Sequence, residues 1–138
     1  MLVKFENGES MSIDDDRVVH RNFSDLFLHR ALFSGMDMVG FKFDRANLRN
    51  ALMDRANLES SSFKDAKAMN SLFKNSDLRN SNFDGAMLMG AVFDGADMRN
   101  ASLVGTDVAA ATFVGCDLRG AKLCLVRKED ADFSGAFF

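Results

Sequence analysis

From Phe23 onward every fifth residue is apolar with one exception: Phe23, Leu28, Phe33, Met38, Phe43, Leu48, Met53, Leu58, Phe63, Ala68, Phe73, Leu78, Phe83, Leu88, Phe93, Met98, Leu103, Val108, Phe113, Leu118, Leu123, Lys128, Phe133 and Phe138, of which only Lys128 is polar. Two positions before each stands a second, mostly small series, among them Ala46, Ala51, Ala56, Ser61, Ala66, Ser71, Ala131 and Ala136. A helix repeats about every 3.6 residues and a strand about every 2, so either would scatter these side chains over every face. A period of five keeps two residues per repeat inside only if the chain turns a corner after each short extended piece. The residues between then face water.

The corners carry their own signal. Gly35, Gly40, Gly85, Gly90, Gly95, Gly105, Gly115, Gly120 and Gly135 fall two residues after a large apolar position, and Asn50, Asn70, Asn75, Asn80 and Asn100 share that slot. Both residue types tolerate the positive φ that the second central position of a type II turn demands. Arg45, Arg55 and Asp65 occupy the same slot elsewhere, and corners nearer type I geometry are expected there.

The runs Ala46-Asn47-Leu48-Arg49-Asn50, Ala56-Asn57-Leu58, Ala96-Asp97-Met98-Arg99-Asn100 and Cys116-Asp117-Leu118-Arg119-Gly120 resemble the pentapeptide-repeat family over about residues 21–138. The resemblance implies an all-β chain wound as a right-handed quadrilateral β-helix, with four pentapeptides per coil and the large and small residues pointing inward. Grouping the large positions by twenties is consistent with this. One wall then holds Phe23, Phe43, Phe63, Phe83, Leu103 and Leu123, and the opposite wall Phe33, Met53, Phe73, Phe93, Phe113 and Phe133. The expected solenoid has about six four-sided coils and, at ~4.8 Å between strands, is about 29 Å long.

Residues 1–20 lack clean repeats, and Lys4–Met11 reads as a hairpin turning at Asn7-Gly8; an N-terminal cap is expected there, with the β-helix over 21–138. Leu26, Met36 and Phe41 are oversized inner corners of the first coil, which fits a wider opening for such a cap to plug. At the other end the sequence stays in phase to Phe138 with no cap, so Phe133, Phe137 and Phe138 are the expected contacts of an end-to-end homodimer, as the resemblance implies. Lys128 interrupts the axis, and a bulged or looped corner is expected over Leu125–Asp130. Ala68 is a second weak point, for which Met69 is the expected filler.

Two outward patterns bear on function. Leu32, Leu52, Leu72, Val92 and Thr112 would stack into an apolar stripe, extended by Met87 and Met89; this is the expected partner surface. Asp37, Asn57, Asp77, Asp97 and Asp117 would form a ladder, with Glu59, Arg79, Arg99 and Arg119 two residues on, so lateral pairing is expected rather than a metal site.

Composition narrows the classes. The chain has 14 Phe and 9 Met but no Trp, Tyr or Pro, a bias that fits one repeated environment. Its net charge of −3 argues against direct nucleic-acid binding. No secretory leader or membrane-length apolar run is apparent, so a cytoplasmic location is expected. Cys116 and Cys124 fit no metal or redox motif, and no structural disulfide is expected.

His20 and His29 lie near the N-terminal end, with no nucleophile, base and acid in a recognisable order and no phosphate-binding loop. No cofactor, no metal and no enzymatic activity are expected. The favoured function is a rigid module that binds an unidentified protein. The alternative, implied by the resemblance, is a bacterial DNA mimic that modulates DNA gyrase and protects it from quinolones or toxins. A duplex about 29 Å long would carry about 17 negative charges, which weighs against that alternative at a net −3.

Overall fold

The computed structural model describes residues 1–138. Parallel bridges join residues twenty apart along the repeat region: Asn22 to Lys42, Lys42 to Ser62, Ser62 to Asn82 and Asn82 to Ser102 on one wall, with equivalent columns on the other three. Four pentapeptides therefore close each coil. Each large residue donates its N–H to the next coil, as from Phe63 to Asn82 O at 2.7 Å, and each outward residue donates back, as from Asn82 to Ser61 O at 2.9 Å. Between the end coils, the backbone groups of the short straight pieces are met by the neighbouring coils.

At each corner the small inner residue donates back to the preceding large one, as from Ala46 to Phe43 O at 3.0 Å. The slot between them takes positive φ, whether glycine or not. Arg45, Arg55 and Asp65 have φ of 58°, 57° and 55°, so the type I-like corners expected from their side chains do not form. The stack overrides local preference here, because a corner of different shape would break register with the coils on either side. Leu125 is the one such slot, from Asp25 to Gly135, without positive φ.

The core is one continuous apolar axis. Phe43, Phe63 and Phe83 stack at 5.0 and 4.6 Å between ring centroids, and Phe73, Phe93, Phe113 and Phe133 at 4.8, 4.9 and 4.7 Å, all within 8° of parallel. Coil spacing sets these distances. Between the two walls the rings meet edge to face, as in Phe63 and Phe73 at 5.7 Å and 90°, an arrangement that aromatic quadrupoles favour. Serines in the small slot bond their hydroxyls to carbonyls, Ser76 to Phe73 O and Ser81 to Leu78 O, at 2.6 and 2.7 Å. Burying them therefore leaves no unmet donor.

Ala68 is completely buried, while Met69 lies half-exposed outside the core and does not fill the missing volume. Its slot at the corner points outward, so side-chain length gives it no access to the axis.

Before the repeats, β1 (Leu2–Lys4) and β2 (Ser10–Ser12) pair antiparallel, turning through Asn7 and Gly8, whose φ is +85°. The strand direction of β1 runs on into the first coil. Phe5 bridges Ala31, and Leu32 donates to Lys4 O at 2.9 Å, which covers that coil's otherwise open edge. Helix α1 (Asp15–Val19), which the period of five did not anticipate, is capped by Asp14, whose carboxylate accepts Arg17 N–H at 2.8 Å. Val3 and Ile13 are buried in the main core, and Leu26, Met36 and Phe41 pack against it.

At the far end β3 (Ser102–Asp107) and β4 (Lys122–Arg127) pair in parallel across a corner, where Gly105 keeps a φ of +70° and Leu125 does not take positive φ. Their register is irregular opposite Leu125, at the start of the Leu125–Asp130 segment where a bulged or looped corner was expected, and Lys128 is exposed. Leu123 and Phe138 were assigned inward positions by their phase, but they are 37% and 70% exposed because no coil lies over them.

Candidate interaction surface

The outward slot before each large residue is set by what the corner behind it needs. The N–H of the residue following each large position takes no part in the ladder, and at many corners a carboxamide or carboxylate supplies its acceptor. On two walls the outward slot does this: Asn47 accepts from Arg49 N, and Asp77, Asp97 and Asp117 from Arg79, Arg99 and Arg119 N, at 3.2 to 3.3 Å. The Asx residues of the repeat are thus backbone caps before they are surface charges, a role that the sequence pattern carried but spacing alone did not reveal.

On the other two walls Asn22, Asn82 and Asp132 cap their own corners, but at the remaining capped corners the acceptor comes from the coil beneath. Asp54 accepts from Lys74 N at 2.9 Å and Asp94 from Val114 N at 3.1 Å. The outward slot between these corners is released from capping and can be apolar. This is the wall that carries Leu32, Leu52, Leu72, Val92 and Thr112, joined one to the next by parallel bridges. All are half-buried by their neighbours in the column. Met87 and Met89 stand more exposed, at 44% and 42%, on the wall before it.

The acidic ladder is neutralised along its length. Arg79 donates through Nε and Nη2 to Asp77 at 2.8 and 2.6 Å and reaches Glu59 at 3.1 Å. Arg99 and Arg119 grip Asp97 and Asp117 in the same bidentate manner, and Arg99 lies 3.8 Å from Asp117 across the coil boundary. The bond from Arg119 holds the Asp117 carboxyl down at about 2, and the bond from Arg79 lowers Asp77 in the same way. Asp37 lies exposed at the start of the column, outside this network.

Burial, and then the charge of Asp117, pushes the Cys116 thiol up to about 12, which leaves it protonated and unreactive at neutral pH. Cys124 is free and exposed in the terminal coil. There Leu123, Cys124, Leu125, Lys128, Phe133 and Phe138 line an open, mainly apolar cavity of about 450 Å³, with Phe137 59% exposed beside it. A second cavity of about 450 Å³ lies between the N-terminal hairpin and the first coil, against Phe5, Met11, Phe27 and His29. His29 is held there by Asn50, whose amide lies 3.1 Å from Nε2.

A coil of four pentapeptides, an inward pair per repeat and an Asx-capped corner define a pentapeptide-repeat solenoid. The family model for pentapeptide repeats matches residues 28–65, 69–103 and 101–138, and the chain belongs to that family, whose members fold as right-handed quadrilateral β-helices. Among solved structures it is similar to HetL, a pentapeptide repeat protein involved in heterocyst differentiation regulation in the cyanobacterium Nostoc sp. strain PCC 7120. The identity is 23% and the TM-score 0.58, over 84% of this chain and 65% of that one.

It is also similar to AT2G44920, a pentapeptide repeat protein of the Arabidopsis thaliana thylakoid lumen, at 25% identity and a TM-score of 0.51 over 75% of this chain and 66% of that one. QnrB1, a plasmid-mediated fluoroquinolone resistance protein, matches at 27% identity over 62% of this chain and 46% of that one, but a TM-score of 0.41 is too loose to carry argument. The chain thus spans just under two thirds of HetL and of AT2G44920. No curated protein matches it.

Proposed function

We propose that the chain is a rigid, non-enzymatic module that binds a protein partner on the outer wall bearing Leu32, Leu52, Leu72 and Val92. In this reading about six coils form a right-handed rod with residues 1–20 as its N-terminal cap. One observation carries the proposal: Leu32, Leu52, Leu72 and Val92 form one continuous bridged column of outward apolar side chains, on a wall where the corners at Lys74 and Val114 take their caps from the coil below. Polar side chains would serve solubility better there, so the column is best understood as a contact surface.

A photo-crosslinking residue placed at Leu52, compared with one at Asp97, tests the proposal in the organism's own lysate. A defined adduct from position 52 and none from 97 is expected. Equal labelling from both sites would remove the assignment. For the terminal coil, the exposed Phe137 and Phe138 beside an apolar cavity support an end-to-end homodimer, in which these rings and Phe133 are covered by a second copy. Light scattering of wild type and of Phe137→Ser/Phe138→Ser decides it: dimer mass is expected for the first and monomer mass for the second.

The gyrase-directed DNA mimic is the weaker reading. Its acidic track would run through Asp77, Asp97 and Asp117, each of which is held by an arginine.

A further inference from the structure

The column on the apolar wall has a repeat length. Leu32, Leu52, Leu72 and Val92 are each bridged to the residue one coil on, so their side chains recur about every 4.8 Å. An extended strand presents same-face side chains about every 6.7 Å and falls out of step with such a column within two rows. An α-helix lying along the rod advances about 5.4 Å per turn and drifts by only about 0.6 Å per row. Between Leu32 and Val92 the accumulated mismatch is about 2 Å, within the reach of flexible side chains. The wall therefore fits about ten residues of a helix that carries an apolar ridge at i, i+4, i+7 and i+11.

The flanks have a sign. Arg49 sits on the corner that opens the wall at Leu52, and Arg55 and Lys74 on the corner that closes it. None of the three side chains makes an ion pair or a hydrogen bond, whereas Arg45, Arg79, Arg99 and Arg119 are each bound to a carboxylate. On the same flank Asp54 accepts Lys74 N–H through one oxygen, so around Leu52 and Leu72 three cations, Arg49, Arg55 and Lys74, stand against one carboxylate, and Asp94 lies one coil further on. Arg55 and Lys74, with Asp54 between them, also line an open depression of about 490 Å³ that contains no apolar side chain, beside the column. Uncommitted cations border an apolar strip, and the complementary ligand is apolar at its centre and acidic at its edges.

We propose that this wall docks an acidic amphipathic helix of a partner protein, with its apolar ridge over Leu52 and Leu72 and its carboxylates against Arg49 on one side and Arg55 and Lys74 on the other. The proposal rests on the interaction-module reading and narrows it to one class of partner. The ladder of Asp77, Asp97 and Asp117 takes no part, because its charges satisfy one another.

The full chain is titrated against three labelled peptides of about 16 residues, read by fluorescence anisotropy. The first is a helix former with Leu at i, i+4, i+7 and i+11 flanked by Glu; the second has Lys in place of Glu; the third alternates Leu and Glu and favours strand. Binding of the first is expected in the micromolar range, at least about tenfold tighter than either of the others, and weaker as salt rises. Leu52→Ser/Leu72→Ser and Arg55→Glu/Lys74→Glu should each lower that affinity by about tenfold or more, with the far-UV spectrum and thermal midpoint showing an intact fold.

Equal or tighter binding of the Lys or the alternating peptide, indifference to both double substitutions, or no binding of the first peptide would each overturn the helix assignment. If a crosslinked cellular partner still maps to position 52 in that event, the module stands and only its ligand class is wrong. If that adduct is also missing, the module reading fails with it.

Discussion

Asn75 lies directly under Gly95: a β-carbon on Gly95 would stand 2.4 Å from Asn75 Oδ1, and Gly95 holds a φ of +69°. The same relation joins Asn70 to Gly90 and Asn100 to Gly120. At these corners glycine is favoured twice, by its own backbone and by the side-chain end one coil below. Gly95→Ala should lower stability by about 1–3 kcal/mol in urea denaturation. In a background of Asn75→Ala the same change should cost less, since only the backbone strain is left. A cycle showing no coupling would rule out the contact as a cause.

Phe93 sits between Phe73 at 4.8 Å and Phe113 at 4.9 Å, parallel to both within 3°. Phe93→Ala removes a ring from the middle of the stack and leaves a cavity that rigid coils cannot close. A loss of about 3–5 kcal/mol is expected. Equilibrium unfolding measures it, and a loss near that of an exposed site would show that the stack is not continuous in solution.

Ala68 occupies a large-residue slot between Leu48 and Leu88 in the same column and is fully buried. With Met69 outside the core, Ala68→Leu restores the side-chain volume of its neighbours. It should raise the thermal midpoint, by a stabilisation of about 1 kcal/mol. A fall would mean that the surrounding side chains have already closed over the site.

The Asp117 carboxyl is held at about 2 by its bond to Arg119, below the value of about 3.9 for a free aspartate. A carboxyl with a lower pKa when folded stabilises the fold above its unfolded pKa and loses that contribution as pH falls through its folded one. Asp117 and Asp77 should therefore contribute fully above about pH 4, and the contribution of Asp117 should disappear as pH falls toward about 2. Side-chain carbonyl shifts in NMR follow this directly. Arg119→Gln should return the Asp117 titration toward the ordinary carboxylate range, and an unchanged midpoint would refute the assigned cause.

The sequence and structure diverge at particular residues. Phe43, Phe63 and Phe83 stack as their spacing of twenty predicts, because inward direction is decided by position within the pentapeptide. Arg45 and Arg55 depart from the corners their residue type predicts, since their side chains disfavour positive φ locally and only the adjacent coils impose it. Asp77 was visible as a partner of Arg79, but its bond to Arg79 N–H depends on which backbone donors the ladder leaves over.

Leu52 and Leu72 could be placed in a column from spacing alone. That Asp54 frees their wall from capping, and that Arg49, Arg55 and Lys74 lack carboxylate partners, could not.

What the amino-acid order alone determined was the period and the inward pair in each repeat, both consequences of side-chain direction within five residues. What the tertiary stack decided was the conformation of each corner, the atoms that satisfy its N–H, and the charges left free beside the apolar wall. Those outcomes depend on contacts between residues twenty apart, and such contacts exist only once one coil rests on another.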